Sequence, residues 1–267
     1  MGSDDPAAHP MDGEGPVRAV LLSPFEIDAV CVSNRRFARF VEATGYRTES
    51  EVFGWSFVFF GFLAEDEQPT QAVAGAPWWR PVIGASWRHP GGPQSTIEDR
   101  LDHPVTHISH HDAIAYCQWA GARLPTEAEW EFAARGGLEQ KRFPWGDQLT
   151  PDGQHRCNIW QGEFPHHDTG EDGNRGTAPV AAFAPNEYGL FNMVGNVWEW
   201  CGDLFEPSPG GLTADSRAAS GSPRVIRGGS YLCHDSYCFR YRVSARSSAP
   251  PDSATGHVGF RLVRDIT

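Results

Sequence analysis

The chain has 267 residues and a formal net charge of −12, long enough for one sizeable core or at most two modest domains. A nucleic-acid surface needs clustered Lys and Arg, which this acidic balance argues against; acidity of this kind serves solubility or attracts cations and basic peptides. Hydrophobic residues make up 40% and charged residues 21% with no run of 18 apolar residues, so the chain reads as a soluble globular protein without a transmembrane helix. The opening MGSDDPAAHPMDGEG has neither the basic nor the apolar region of a signal peptide, and the default location is the cytoplasm. Gly and Pro together are 29 + 21 = 50 of 267 residues, beside ten Trp. Such a chain turns often, so low regular secondary structure is expected, with aromatic side chains filling the core and metal ions as one means of tying down long loops.

In chain order, a short strand is predicted at 18–21 (RAVL). SNRRFARFVEATGY follows as a helix with Ser33 as N-cap, Phe37, Phe40 and Val41 on one face, and Gly45 as its stop. A strand is predicted at 56–60 (SFVFF). SHHDAIAYCQWAGA reads as a second helix capped by Ser109, with Ala113, Tyr116, Cys117 and Ala120 at helical spacing. TEAEWEFAARGG reads as a third, opened by a Thr126/Glu129 capping box, with Trp130 and Ala133 facing inward. Residues 206–223 (EPSPGGLTADSRAASGSP) read as an exposed insertion loop, and 224–227 and 258–263 as strands. The class is α+β, with short antiparallel strands and a few helices, in a single domain over 1–267.

Two groups of side chains raise the question of chemistry. His103, His107, His110, His111 and Asp112 fall within ten residues. Two His and a carboxylate are a facial-triad donor set, so a mononuclear non-haem metal enzyme is one reading. Against it, His110 and His111 open a predicted helix and point in different directions, as surface residues. His166, His167 and Asp168 read as a solvated loop.

The second group is the pair Cys233 and Cys238 in GGSYLCHDSYCFRYR, residues 228–242. A five-residue offset spans roughly 16 Å in a strand and about 140° around a helix, so the sulfurs meet only if His234–Tyr237 form a turn, which Asp235 and Ser236 favour. Three readings stay open: two inert buried thiols, a redox disulfide, or a two-thiolate site for a soft ion such as Cu(I). Two sulfurs are too few for structural zinc. Gly228 and Gly229 allow close backbone approach, and Arg240, Arg242 and Arg246 are expected to depress thiol pKa values. Cys31, Cys117, Cys157 and Cys201 are isolated and are expected to be reduced, packed side chains.

GGSYLCHDSYCFRYR resembles the signature of the formylglycine-generating enzymes, the sulfatase-modifying factor family. RLPTEAEWEFAARGG, FPWGDQL, CNIWQGEFP, TGEDG, GTAPV, YGLFNMVGNVWEW and GFR are similar to that family's landmarks in its order, so the resemblance covers essentially the whole chain. RLPTEAEWE and GNVWEW belong to a wider superfamily with a C-type-lectin-like core, and the Cys-x4-Cys segment is the specific part.

The resemblance implies an oxidase that uses O₂ to convert the cysteine of a Cys-x-Pro-x-Arg motif, in an unfolded or nascent sulfatase, to Cα-formylglycine. It implies Cu(I) on Cys233 and Cys238, with Ser230, Trp198 and Tyr237 around it. It implies two structural Ca²⁺ sites, one from Asn158, Ile159, Asp172 and Asn174, the other from Asn192, Gly195, Val197 and Glu199. Ile159, Gly195 and Val197 can offer only main-chain oxygen. An extended peptide would enter an aromatic groove, with Trp55, Ser56, Trp79, His234 and His257 as candidates and Trp78 and Trp87 beside them; which acid accepts the substrate Arg stays open. In the family, MGS follows a strand of the type IPGGxFx, so an exposed edge is expected here. Ser248, Ala249 and Pro250 replace a more polar stretch, and Leu262 stands where a cysteine is common. A non-catalytic lectin-like binding module is the non-enzymatic alternative, and it would need no thiol pair. An iron enzyme forming sulfur–carbon bonds would need a helical domain absent from this sequence.

Overall fold

The computed structural model describes residues 1–63, 71–207 and 221–266. Among the described residues there are four α-helices, and three of them end at a left-handed glycine. Helix α1 (Asn34–Thr44) is capped by the Ser33 side chain and ends at Gly45, φ 68°, where a left-handed turn favours glycine. Its Phe37 and Phe40 are buried. Helices α3 (His110–Trp119) and α4 (Glu127–Arg135) both open with full capping boxes, Ser109/Asp112 and Thr126/Glu129. A short helix α2 (Glu49–Phe53) was not anticipated, although its Thr48/Glu51 capping box is legible in TESE.

Strands are short. β1 (Phe25–Ile27) pairs with β10 (Val263–Asp265), and β2 (Trp55–Phe59) pairs with β3 (Trp79–Ile83) in a hairpin. β4 (Gly162–Glu163) and β5 (His167–Asp168) form a two-residue ladder. The main sheet has the order β8 (Arg246–Ala249), β7 (Arg224–Arg227), β6 (Trp198–Leu204), β9 (Val258–Gly259). Its β6–β9 pair is parallel, while the other strand pairs are antiparallel as expected. Residues 18–21 are not a strand: Arg18 exchanges backbone bonds with Met1, and the first strand lies at Phe25–Ile27. The expected 258–263 strand divides into β9 and β10, because Phe260 and Leu262 direct their carbonyls to Val32 and Asp28 instead of a common neighbour. Most of the insertion loop, 208–220, lies outside the described residues.

One large cluster unites α1, α3, α4 and the main sheet around Phe37, Trp87, Trp130, Trp200 and Phe260, each at most 1% exposed. Two of its indoles are partnered: Trp130 Nε1 donates to Glu199 and Trp200 Nε1 to the Ile108 carbonyl, at 2.7 and 2.9 Å, which spares the cost of an unmade bond in the interior. Cys233, Cys238 and Trp198 belong to this same cluster. Among the described residues, no helix is long and apolar enough to cross a membrane.

Candidate active site

After β7, Gly228 and Gly229 take φ of 96° and 73°. A Cβ on Gly229 would stand 3.1 Å from the Tyr241 backbone, so glycine lets the two arms of the loop close on each other. HDSY does form the turn: the amides of Tyr237 and Cys238 both donate to the His234 carbonyl, at 3.1 and 2.7 Å. The turn brings Cys233 Sγ and Cys238 Sγ to 2.7 Å with both thiols buried, and all six cysteines are free. Ser230 N–H donates to Cys233 Sγ at 3.4 Å, and the Cys233 carbonyl accepts from Trp160. The sulfurs do not share protons evenly. Burial and the hydrogen bond with its partner push the Cys233 thiol up, while the bond from Cys233, then the neighbouring Arg240, pulls Cys238 down.

Of the three expected arginines, only Arg240 serves this purpose. Arg242 is committed to Glu14 through two bonds of 2.7 Å, and Arg246 to Glu127 at 2.6 and 2.8 Å. These buried carboxylates cancel each guanidinium where it stands. Glu14 comes from far along the chain and has no local sequence signal.

Around the thiols, Ser230 is fully buried and its Oγ accepts from Leu232 N–H at 3.3 Å. Tyr237 donates to the Leu232 carbonyl, stacks on Phe164 at 3.9 Å between centroids and meets Trp78 edge-on at 5.2 Å. Burial drives its phenol pKa upward. Trp198 is buried, and its amide donates to the His257 carbonyl. His257 packs on Trp79 at 4.6 Å and shares a 2.7 Å bond with Thr255 Oγ1. Burial, then His107, pulls its pKa to about 3. His234 stays half-buried, its Nδ1 beside Ser236 Oγ at 2.8 Å. Trp55 is exposed at the far end of the hairpin, its ring edge-on to Phe57. Phe164, not foreseen, joins Trp78, Trp160 and Tyr237 in one aromatic wall.

Two groove candidates face elsewhere. Ser56 is 1% exposed; it donates to the Ala254 carbonyl and lies 2.8 Å from His107 Nδ1, so it ties β2 to the 254–257 segment instead of meeting a peptide. The strand's period of two puts it on the inner face, opposite Trp55 and Phe57. Trp87 is a core residue packed on Phe37. A cavity of about 440 Å³ on that inner side is lined by residues that include Val58, Trp87, His107 and Tyr231, but not by the thiols.

The expected calcium donors divide. In the first set, the Ile159 carbonyl and Asp172 Oδ2 converge on one donor, the Gln161 amide nitrogen, which is 3.0 Å from Asp172. Asp172 Oδ1 also accepts from Asn174 N–H at 2.8 Å, and Asn158 Nδ2 bonds Gly176 O and Asn196 Oδ1. Two oxygens that converge on one donor nitrogen are a set that fits a hard cation. In the second set, Asn192 Oδ1 is buried without a partner, which also fits. Gly195 and Val197 are close by in sequence, and the Cβ position of Gly195 is 2.4 Å from Asn158 O. Glu199, however, is fully engaged: both its oxygens hold Arg261 at 2.7 Å and it also accepts from Trp130 and Cys31. The second set therefore does not fit a cation through its carboxylate.

The histidine cluster disperses. His107 is buried between Ser56 and the Pro90 carbonyl, His103 meets Thr177, His111 pairs with Glu49, and Asp112 caps α3 while accepting from Tyr46 and Glu49 N–H. His110, expected at the surface, is buried against Trp200. Among the described residues, no three His, Cys, Asp or Glu side chains are grouped to hold a metal, so the non-haem reading loses its site.

A fold with few helices and short strands has solved counterparts. PvdO from Pseudomonas aeruginosa is 24% identical with a TM-score of 0.68, covering 100% of this chain and 90% of that chain; that likeness concerns the fold. The family description that matches residues 1–266 is the sulfatase-modifying factor enzyme 1-like domain. The formylglycine-generating enzyme of Thermomonospora curvata is 59% identical over 272 residues, covering 99% of this chain and 90% of that protein. A Bos taurus protein described as an inactive C-alpha-formylglycine-generating enzyme 2 is 47% identical, covering 98% of this chain and 83% of that protein. The chain belongs to the sulfatase-modifying factor family.

Proposed function

We propose that this protein oxidises the cysteine of a Cys-x-Pro-x-Arg motif in an unfolded or nascent sulfatase to Cα-formylglycine, with O₂ as acceptor and Cu(I) held by Cys233 and Cys238. Its likeness to formylglycine-generating enzymes over nearly the whole chain makes it an oxidative protein-modifying enzyme. The observation that carries the reading is the buried pair of sulfurs, 2.7 Å apart at one turn. Two converging thiolates suit a soft monovalent ion and leave it open to a third sulfur from the substrate. Copper, when bound, supplies the one-electron and O₂ chemistry that side chains lack.

The chain's own residues bind, orient and exclude water. The wall of Trp78, Trp79, Phe164 and His257 would receive an extended peptide. Trp198 and Tyr237 enclose the thiols with apolar surface. The Ser230 Oγ accepts from Leu232 N–H and carries one proton of its own, with which it would hydrogen-bond the reacting oxygen. His257, neutral at pH 7, offers an acceptor beside Trp79. Two electrons leave the substrate Cβ–Sγ unit, and the thioaldehyde so formed is hydrolysed to aldehyde and sulfide. O₂ takes the two electrons to become peroxide, or two more from a thiol reductant to become water. Calcium is proposed at the first set only, as a structural ion. A monomer in the cytoplasm completes the reading, checked by size-exclusion chromatography and cell fractionation.

The deciding experiment mixes a Cys-x-Pro-x-Arg peptide with copper-loaded protein, O₂ and a thiol reductant and follows the peptide's mass. The aldehyde should appear with wild type, and Cys238→Ser should lower its rate by roughly three orders of magnitude or more, as expected for ligands that act as a unit. Unchanged peptide with copper demonstrably bound would instead favour the lectin-like binding module, the reading that the inactive relative keeps in play.

A further inference from the structure

Arg240 follows Cys238 by two residues in the same arm and is half-buried. Its guanidinium is gripped by Asp12, whose two carboxylate oxygens accept from Nε and Nη2 at 2.5 and 3.2 Å. Asp12 lies 228 residues away in sequence yet is only 8% exposed. It closes a single 3-10 turn, Pro10–Asp12, that ends at Gly13 with φ 66°. A Cβ on Gly13 would stand 2.1 Å from the Pro207 carbonyl, so the strap fits only with glycine there. Arg246 Nη1 holds the strap from below through the Asp12 carbonyl at 3.2 Å. Glu14, one step further on, grips Arg242 and accepts from Ser244 Oγ.

We propose that Asp12 is a positioning residue for the thiol pair: it pins the Arg240 fork, two residues beyond Cys238, and thereby sets how tightly the two sulfurs hold a soft metal ion. A free arginine has many rotamers, about 2 kcal/mol of side-chain entropy; a carboxylate that accepts from Nε and Nη2 removes that freedom before the metal arrives. Partners that orient metal ligands in this way typically change affinity by roughly 10–100-fold. The inference rests on the reading that Cys233 and Cys238 bind Cu(I). Asp5 supplies an internal control, since it holds Arg142 in the same strap at 2.8 and 3.2 Å, and Arg142 stands over the Phe239 ring.

The test is Cu(I) affinity of the full chain, measured by competition with a chromophoric Cu(I) chelator, alongside melting temperature. Asp12→Asn should weaken binding roughly 10–100-fold, Asp12→Glu should recover most of the loss, and Asp5→Asn should stay within about twofold even if it melts as early as Asp12→Asn. The idea is overturned if Asp12→Asn binds within about twofold of wild type, or if Asp5→Asn weakens binding equally, which would make the strap a general brace. Should Asp12→Asn fail to fold, Arg240→Lys, which keeps the charge without the fork, carries the decision: unchanged affinity refutes the role. Wild-type protein that binds no Cu(I) would instead refute the underlying copper reading.

Discussion

The thiol-bearing arm, residues 224–246, and the β2–β3 hairpin meet where Trp78 packs on Tyr237, yet opposite forces hold them. The arm is braced by charge: Arg227, Arg240, Arg242 and Arg246 each meet a carboxylate in the interior. The hairpin is joined to the rest largely through rings, with Trp55 exposed and Trp79 resting on His257. Buried, bidentate ion pairs fix geometry, because a small displacement leaves a charge without compensation. Aromatic faces tolerate sliding. A site that must hold two sulfurs in register while accepting a variable peptide has use for both.

The contrast can be broken most severely at the arm. Glu127 bridges Arg227 and Arg246 from α4, so Glu127→Gln strips the buried Arg246 of its carboxylate and leaves Arg227 with Glu131 alone. A loss of roughly 3–5 kcal/mol is expected by chemical denaturation, and a change below about 1 kcal/mol would show that the arm does not depend on its ion pairs.

Acid should strain the region behind the hairpin next. Burial is the first cause that pulls His107 and His110 to about 4 and His257 to about 3. The unfolded chain then binds more protons than the folded one between those values and the ordinary 6.5. Stability is therefore complete above pH 6.5 and falls as pH drops, by up to about 1.4 kcal/mol per pH unit for each imidazole. Asp112, raised to about 6 by burial, acts in the opposite sense and is most favourable to folding at the acid end. Melting curves from pH 7 to pH 4.5 should fall, and His107→Gln should flatten them; a flat wild-type profile contradicts the buried neutral imidazoles.

A smaller effect sharpens the hairpin's side. Trp79→Ala should raise KM for the peptide about tenfold with kcat within about twofold, since it removes stacking surface used equally before and during reaction. A fall in kcat at unchanged KM would move Trp79 into the chemistry. The mildest is calcium: EDTA should lower the melting temperature by a few degrees through loss of a ligand bound only by the folded state, with bound copper unchanged. Asp172→Asn should abolish that response, and an EDTA effect that survives it would place the ion elsewhere.

Much of this protein was decided locally. The helix caps at Ser33, Ser109 and Thr126, the glycine stops and the turn at His234–Tyr237 follow from a few adjacent residues, because capping and turn formation are short-range bonds. Periodicity likewise put Phe37, Phe40, Trp130 and Ala133 inside. What the tertiary structure alone decided is which distant groups neutralise one another. No local pattern marks Asp12 and Glu14 as partners of Arg240 and Arg242, or Glu199 as the partner of Arg261. Nor does the sequence reveal that Ser56 and His110 point inward. A buried charge is settled by whatever counter-charge the packed chain brings within reach, and that pairing exists only once segments more than 200 residues apart have come together.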